Sequence, residues 1–208
     1  MAVFPVGLAF GLAAAEAGLA VWQASAFSVL VFAGSSQFAA VDIIGDGGSP
    51  LTGIAAGVLL NVRSLAFGVV MASALAGTWW KRAVWSQLMV DEAAAMGAAQ
   101  SDWGWRRYSY QATGVAIFIS WNLATLLGAA TLSSGGDVLH DWGIDAAFPA
   151  IFLALLWPRL AEADQRRSAI AGALIALLLV PIAPPGVPVV VAALGVVAGW
   201  RVNSRATT

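Results

Sequence analysis

Cysteine is absent from this 208-residue chain, so disulfides, thiol catalysis and thiolate metal sites are excluded. Histidine is nearly absent. His140 stands alone and cannot build a metal site by itself. Charge is scarce as well: 10% of residues are Asp, Glu, Lys or Arg, against about 25% in ordinary soluble domains. The net charge is −1 and there is no basic tract, which argues against nucleic acid as a partner. No Ser/His/Asp arrangement, zinc-protease motif, phosphate loop or dinucleotide fingerprint occurs, so nothing points to an enzyme or to a cofactor.

What is present is apolar. Hydrophobic residues make up 60% of the chain, too many for an ordinary aqueous surface. The chain reads as one integral membrane domain over 1–208, all-α and polytopic. Apolar runs fall near 3–20, 24–44, 51–76, 84–100, 110–132, 146–158, 168–182 and 186–200. Some are short or interrupted, which gives about seven membrane segments with broken or re-entrant helices. Gly7, Gly11, Glu16 and Gly18 interrupt the first run. Pro149 and Phe148 interrupt the sixth, and Pro181, Pro184, Pro185 and Gly186 separate the last two into a short hairpin. The N-terminus has no basic region of the kind a cleaved signal peptide carries, and it reads as the start of a membrane segment.

Basic residues set the expected orientation. Lys81-Arg82, Arg106-Arg107, Arg159 with Arg166-Arg167, and Arg201 with Arg205 form four clusters. The loop at 133–145 carries Asp137, His140, Asp141 and Asp145 with no Lys or Arg. The positive-inside rule places the basic clusters and the C-terminus in the cytoplasm. Segment 84–100 then has basic clusters at both ends, so it is expected to re-enter or break. Irregular backbone at membrane depth is tolerated where it lines a polar cavity. Eight of the ten Trp residues lie near segment ends, as interfacial anchors do: Trp79, Trp80, Trp85, Trp103, Trp105, Trp142, Trp157 and Trp200.

Three constellations carry chemistry. Gly34-Ser35-Ser36-Gln37 puts a helix weak point, two hydroxyls and an amide at one depth. Such sites suit a broken helix whose backbone N–H groups meet a carboxylate, although small residues also serve close packing. Asn61 and Arg63 lie at the centre of the third run, with Ser64 on the face of Asn61. A guanidinium at mid-depth costs at least about 2.5–3.5 kcal/mol, so Arg63 is expected to face a partner or a water-filled path. It either fixes packing through an ion pair or serves a substrate. Asp91 and Glu92 are the nearest anions by depth, unless they face the cytoplasm on a shallow segment. Asn122 suits a helix–helix hydrogen bond. Glu16 and Asp42 lie near segment ends.

Read together, GLAFG at 7–11, FAGSSQF at 32–38, NVRS at 61–64 and DEAAAM at 91–96 resemble the AzlC-type large subunit of branched-chain amino acid exporters. The resemblance covers roughly residues 5–200. It implies a permease of a bacterial cytoplasmic (inner) membrane, exporting branched-chain or related small amino acids, and protonation of Asp91 or Glu92 is the expected link to the proton gradient. It also implies a small hydrophobic AzlD-type membrane subunit as partner. It carries Gln37, Asn61, Arg63, Asp91 and Glu92 into the substrate site, beside Gly34, Ser35 and Ser36. Ser64 stands where the family often has His, so a histidine relay there is not available. The rival reading is a passive channel for ions or small solutes, since fixed midplane charge and a broken helix suit channels too.

Overall fold

The computed structural model describes residues 3–133, 153 and 156–199. The expectations for Asp137, His140, Asp141, Trp142, Asp145, Phe148, Pro149, Trp200, Arg201 and Arg205 lie outside the described residues. Every regular element among the described residues is helical. The order is α1 (Val3–Glu16), α2 (Val21–Leu30), α3 (Gly34–Gly45), α4 (Pro50–Asn61), α5 (Arg63–Val70), α6 (Trp79–Gln87), α7 (Asp91–Ala98) and α8 (Trp103–Ser133). A 3₁₀ turn at Trp157–Ala161 then leads into α9 (Ala163–Leu179), α10 (Val187–Ala192), a second 3₁₀ turn (Ala193–Gly195) and α11 (Val196–Gly199).

Among the described residues, two stretches are long and apolar enough to cross a bilayer. One is Pro50–Val70, which joins α4 and α5 over 21 residues, and the other is Trp103–Thr131 within α8. The remaining apolar helices are shorter, and the chain breaks in the two runs where a broken or re-entrant helix was expected. The run at 24–44 is divided between α2 and α3, and the run at 84–100 between α6 and α7. The first run is a correction. α1 passes through Gly7 and Gly11 without interruption and ends only at Glu16, before Gly18 turns the chain at φ +84°.

Those glycines are a contact surface. A Cβ on Gly7 would stand 3.0 Å from the Trp121 carbonyl oxygen, and one on Gly11 would collide with the Thr125 carbonyl. From the other side, a Cβ on Gly128 would collide with the Leu8 carbonyl. Helices α1 and α8 therefore run parallel with their backbones nearly touching, as small residues spaced by four allow. α2 crosses α8 in the opposite sense. Phe32 meets Phe118 edge-on at 5.0 Å between ring centroids, and Ser28 bonds Thr125. α3 and α4 form an antiparallel hairpin, closed by Ser49, whose Oγ accepts from the Thr52 N–H at 3.2 Å.

Two apolar cores result. One gathers Phe10, Phe32, Phe38, Val41, Leu88 and Trp121 from α1, α3, α8 and both helix breaks. The other holds Met71, Ala74, Leu75, Ala93, Ala94 and Tyr110, with Phe67 of α5 packed against it. α9 packs on α10 and α11 as the expected hairpin. That hairpin reaches the α3–α4 turn, where a Cβ on Gly48 would stand 3.0 Å from the Pro185 carbonyl oxygen. Trp79, Trp80, Trp103, Trp105 and Trp157 are exposed, as anchors require, whereas Trp85 is half-buried.

Candidate functional site

The break between α2 and α3 comprises Val31, Phe32 and Ala33, with Ala33 at φ −151° and ψ 91°. It lies just before the Gly34–Gln37 motif. Gly34, Ser35 and Ser36 form the first turn of α3, and the Gln37 N–H makes its first bond, to the Ala33 carbonyl at 3.0 Å. The weak point is thus a helix start. Glycine and serine favour such a position because they gain little from a helix interior.

The two ends of the break differ. α2 ends with carbonyls that have no helical partner, and each one is met. The Phe27 carbonyl accepts from the Val31 N–H at 2.9 Å. The Ser28 carbonyl accepts from Gln37 Nε2 at 3.3 Å. The Val29 and Leu30 carbonyls both accept from Gln87 Nε2, at 3.0 and 3.1 Å. α3 begins on Ala33, which has no side-chain oxygen and gives the helix no N-cap of its own. The negative end of the break is closed by two glutamines. The positive end starts on an alanine, and a helix N-terminus favours an anion.

Buried polar groups surround this point. Gln37, Ser28, Ser36 and Thr125 are the buried polar residues of the described chain. Ser28 Oγ donates to Thr125 Oγ1 at 3.3 Å, and Thr125 Oγ1 donates to the Gly7 carbonyl at 3.4 Å. Ser36 Oγ donates to the Gly57 carbonyl at 2.8 Å, which ties α3 to α4 one turn before Asn61. Trp121 closes the other side. It stacks on Phe10 at 6.2 Å and meets Phe38 edge-on at 6.3 Å.

The second break lies between α6 and α7 at Leu88, Met89 and Val90. Gln87, the last residue of α6, clamps it to the end of α2. Leu88 sits in the same core as Phe32 and Trp121. Tyr110 supports this break from α8, with its Oη donating to the Trp85 carbonyl at 2.6 Å. Asp91 and Glu92 occupy the first turn of α7, Asp91 half-buried and Glu92 exposed. The expectation of a broken segment at 84–100 corresponds to this pair of short helices.

Asn61 and Ser64 share a face as expected. Ser64 Oγ donates to Asn61 Oδ1 at 2.6 Å, across the kink at Val62. Arg63 opens α5, and its side chain lies outside what the structure describes, so the expected pairing with Asp91 or Glu92 does too. The helices that carry the two motifs are neighbours, since Phe67 of α5 packs on the core containing Ala93 and Ala94. Asn122 requires a correction. Its Nδ2 donates to the Phe118 carbonyl of its own helix at 2.8 Å, not to another helix. Glu16 and Asp42 are exposed near helix ends. Among the described residues no three His, Asp or Glu side chains gather as a metal site needs.

The residues that sequence reasoning missed are Gln87, Ser28, Thr125, Trp121 and Tyr110. Gln87 carried a usable signal, a lone amide inside an apolar run two residues after Trp85. Ser28 and Thr125 carried none, because single hydroxyls are common in membrane helices.

Comparison with known proteins agrees with these motifs. The family described as AzlC protein matches residues 1–134. The chain is 29% identical over 196 residues to the inner membrane protein YgaZ of Escherichia coli K12, covering 86% of this chain and 78% of that one. It is 26% identical over 206 residues to an uncharacterized membrane protein of Archaeoglobus fulgidus, covering 96% and 89%. No solved structure matches it. The chain, whose described elements are all helical and include two spans of membrane-crossing length, resembles membrane proteins over most of its length and belongs to the AzlC protein family.

Proposed function

We propose that the chain is the large subunit of a secondary transporter that exports branched-chain or related small amino acids. The observation that carries this reading is the asymmetric break between α2 and α3. Its carbonyl end is closed by Gln37 and Gln87, and its amide end starts on Ala33, whose side chain cannot cap it. Such an end suits the carboxylate of a small substrate held between half-helices. The apolar wall of Phe10, Phe32, Phe38 and Trp121 suits an aliphatic side chain. Discrimination among branched side chains is then modest, at about 1–3 kcal/mol per methylene.

Asp91 and Glu92 supply the protonatable pair at the adjoining break, and Arg63 on the neighbouring helix tunes it. Proton entry neutralises an acid there and resets the site, which couples efflux to the proton gradient. About seven membrane segments in one domain, a cytoplasmic C-terminus and a small AzlD-type subunit complete the proposal.

The test is efflux of labelled valine, leucine and isoleucine from proteoliposomes holding the protein with its small subunit. Efflux should saturate, respond to an imposed pH gradient, and lose that response in Asp91→Asn or Glu92→Gln. Non-saturating flux of many solutes would instead favour a passive channel. Flux indifferent to the gradient would remove the proton coupling and leave the transporter reading standing.

A further inference from the structure

Four buried side-chain polar atoms among the described residues have no protein partner: Ser25 Oγ, Gln37 Oε1, Trp121 Nε1 and Asn122 Oδ1. Gln37 is 0% exposed and Trp121 7%. Ser25 lies on α2 a turn before Ser28, whereas Gln37, Trp121 and Asn122 belong to the contact between α8 and the break that opens α3. Gly34, Gln37 and Phe38 stand at helical spacing on one face of α3. The Trp121 indole covers that face. Its ring edge would lie 3.0 Å from a Cβ on Gly34, and it meets the Phe38 ring edge-on. Gln37 sits between those two contacts.

Asn122 follows Trp121 on the α8 stripe of Phe118, Trp121, Asn122 and Thr125. That stripe faces the broken helix through Phe32 and Ser28. Both amides have the nitrogen tied down, Gln37 Nε2 to the Ser28 carbonyl and Asn122 Nδ2 to the Phe118 carbonyl. Each presents an oxygen. The set is therefore one donor and two acceptors, beside the start of α3.

That inventory selects a ligand class. A metal cation would leave the indole N–H unmet. A lone carboxylate or phosphate would leave both amide oxygens unmet. A zwitterion meets all three, with an ammonium donating to the two oxygens and a carboxylate accepting from the indole N–H at the start of α3.

We infer that Trp121, Gln37 and Asn122 hold the α-carboxylate and α-ammonium of one free amino acid, an assignment that rests on the amino-acid reading above. The ammonium is then held by neutral oxygens, and Asp91 and Glu92 are left to carry the proton. A peptide, which lacks the pair of charges on one carbon, fits poorly.

The test is binding of labelled L-leucine to the purified protein, with competition by 4-methylpentanoate, which is leucine without its amine. Trp121→Phe keeps an aromatic ring and removes the N–H. It should weaken leucine and 4-methylpentanoate alike, by about tenfold or more. Asn122→Leu should weaken leucine by a similar factor and leave 4-methylpentanoate unchanged. Folding is checked by unfolding midpoint, and either variant alone decides the case. Wild-type affinity for leucine in a folded Trp121→Phe or Asn122→Leu protein would overturn the assignment, as would equal loss of both ligands in Asn122→Leu. No binding of leucine or valine by the folded wild-type protein would refute the amino-acid reading itself, and this assignment with it.

Discussion

Gln87→Met removes a side chain that hydrogen-bonds from the second helix break to the first. Met keeps the length of the side chain and loses the amide, so the perturbation is confined to two hydrogen bonds, at 3.0 and 3.1 Å to the Val29 and Leu30 carbonyls. The magnitude depends on what else can reach those oxygens. With water at the break, each lost bond costs about 0.5–1.5 kcal/mol, about 1–3 kcal/mol together. In a dry break each carbonyl would be orphaned at about 1–3 kcal/mol, about 2–6 kcal/mol together. Gln87 is exposed, which favours the smaller range. The assay is an equilibrium unfolding curve in mixed micelles, beside efflux from proteoliposomes. Stability and flux should fall in the order wild type, Gln87→Met, Gln87→Glu, because a carboxylate cannot donate and repels carbonyl oxygen. Wild-type stability and flux in both variants would refute the clamp. A loss well above 3 kcal/mol in Gln87→Met would count against a water-lined path at this break.

Much of this architecture was legible in the sequence, and the parts that were not share a cause. Apolar runs identify membrane helices because the bilayer demands length and apolarity. They do not report whether a run is one helix or two, since Val31, Phe32 and Ala33 are as apolar as their helical neighbours. Gly34-Ser35-Ser36 marked the right place, and the break fell just ahead of it because serine is favoured at a helix start and gains little in a helix interior. Gly7 and Gly11 misled in the opposite direction. A glycine in a membrane helix reads as a weak point, yet here the approach of α8 demands it. The contacts of Gly34 with Trp121 and of Ser28 with Thr125 could not be read from order along the chain. They join residues roughly ninety apart through the crossing of α2–α3 with α8.

Further perturbations separate packing from function. Gly11→Leu should lower folded yield, because its Cβ meets the Thr125 carbonyl and overpacking of this kind costs about 1–3 kcal/mol. Gly68→Ala is the matched control, since nothing lies within 4 Å of a Cβ there, and its yield should equal wild type. Tyr110→Phe should cost only about 0.5–1.5 kcal/mol in an unfolding curve, because the Trp85 carbonyl it releases still accepts from the Leu88 N–H at 3.2 Å. Single cysteines at 31–37 can be read without background, because the native chain has none. Aqueous thiol reagents should modify Val31→Cys, Ala33→Cys and Ser35→Cys faster than Ser36→Cys, whose native hydroxyl is buried against the Gly57 carbonyl, and leucine should slow the reaction at Ala33→Cys. Uniform inertness across the set would mean that lipid or packed protein surrounds the break, and the amide end of α3 would then have no aqueous route by which a carboxylate could arrive.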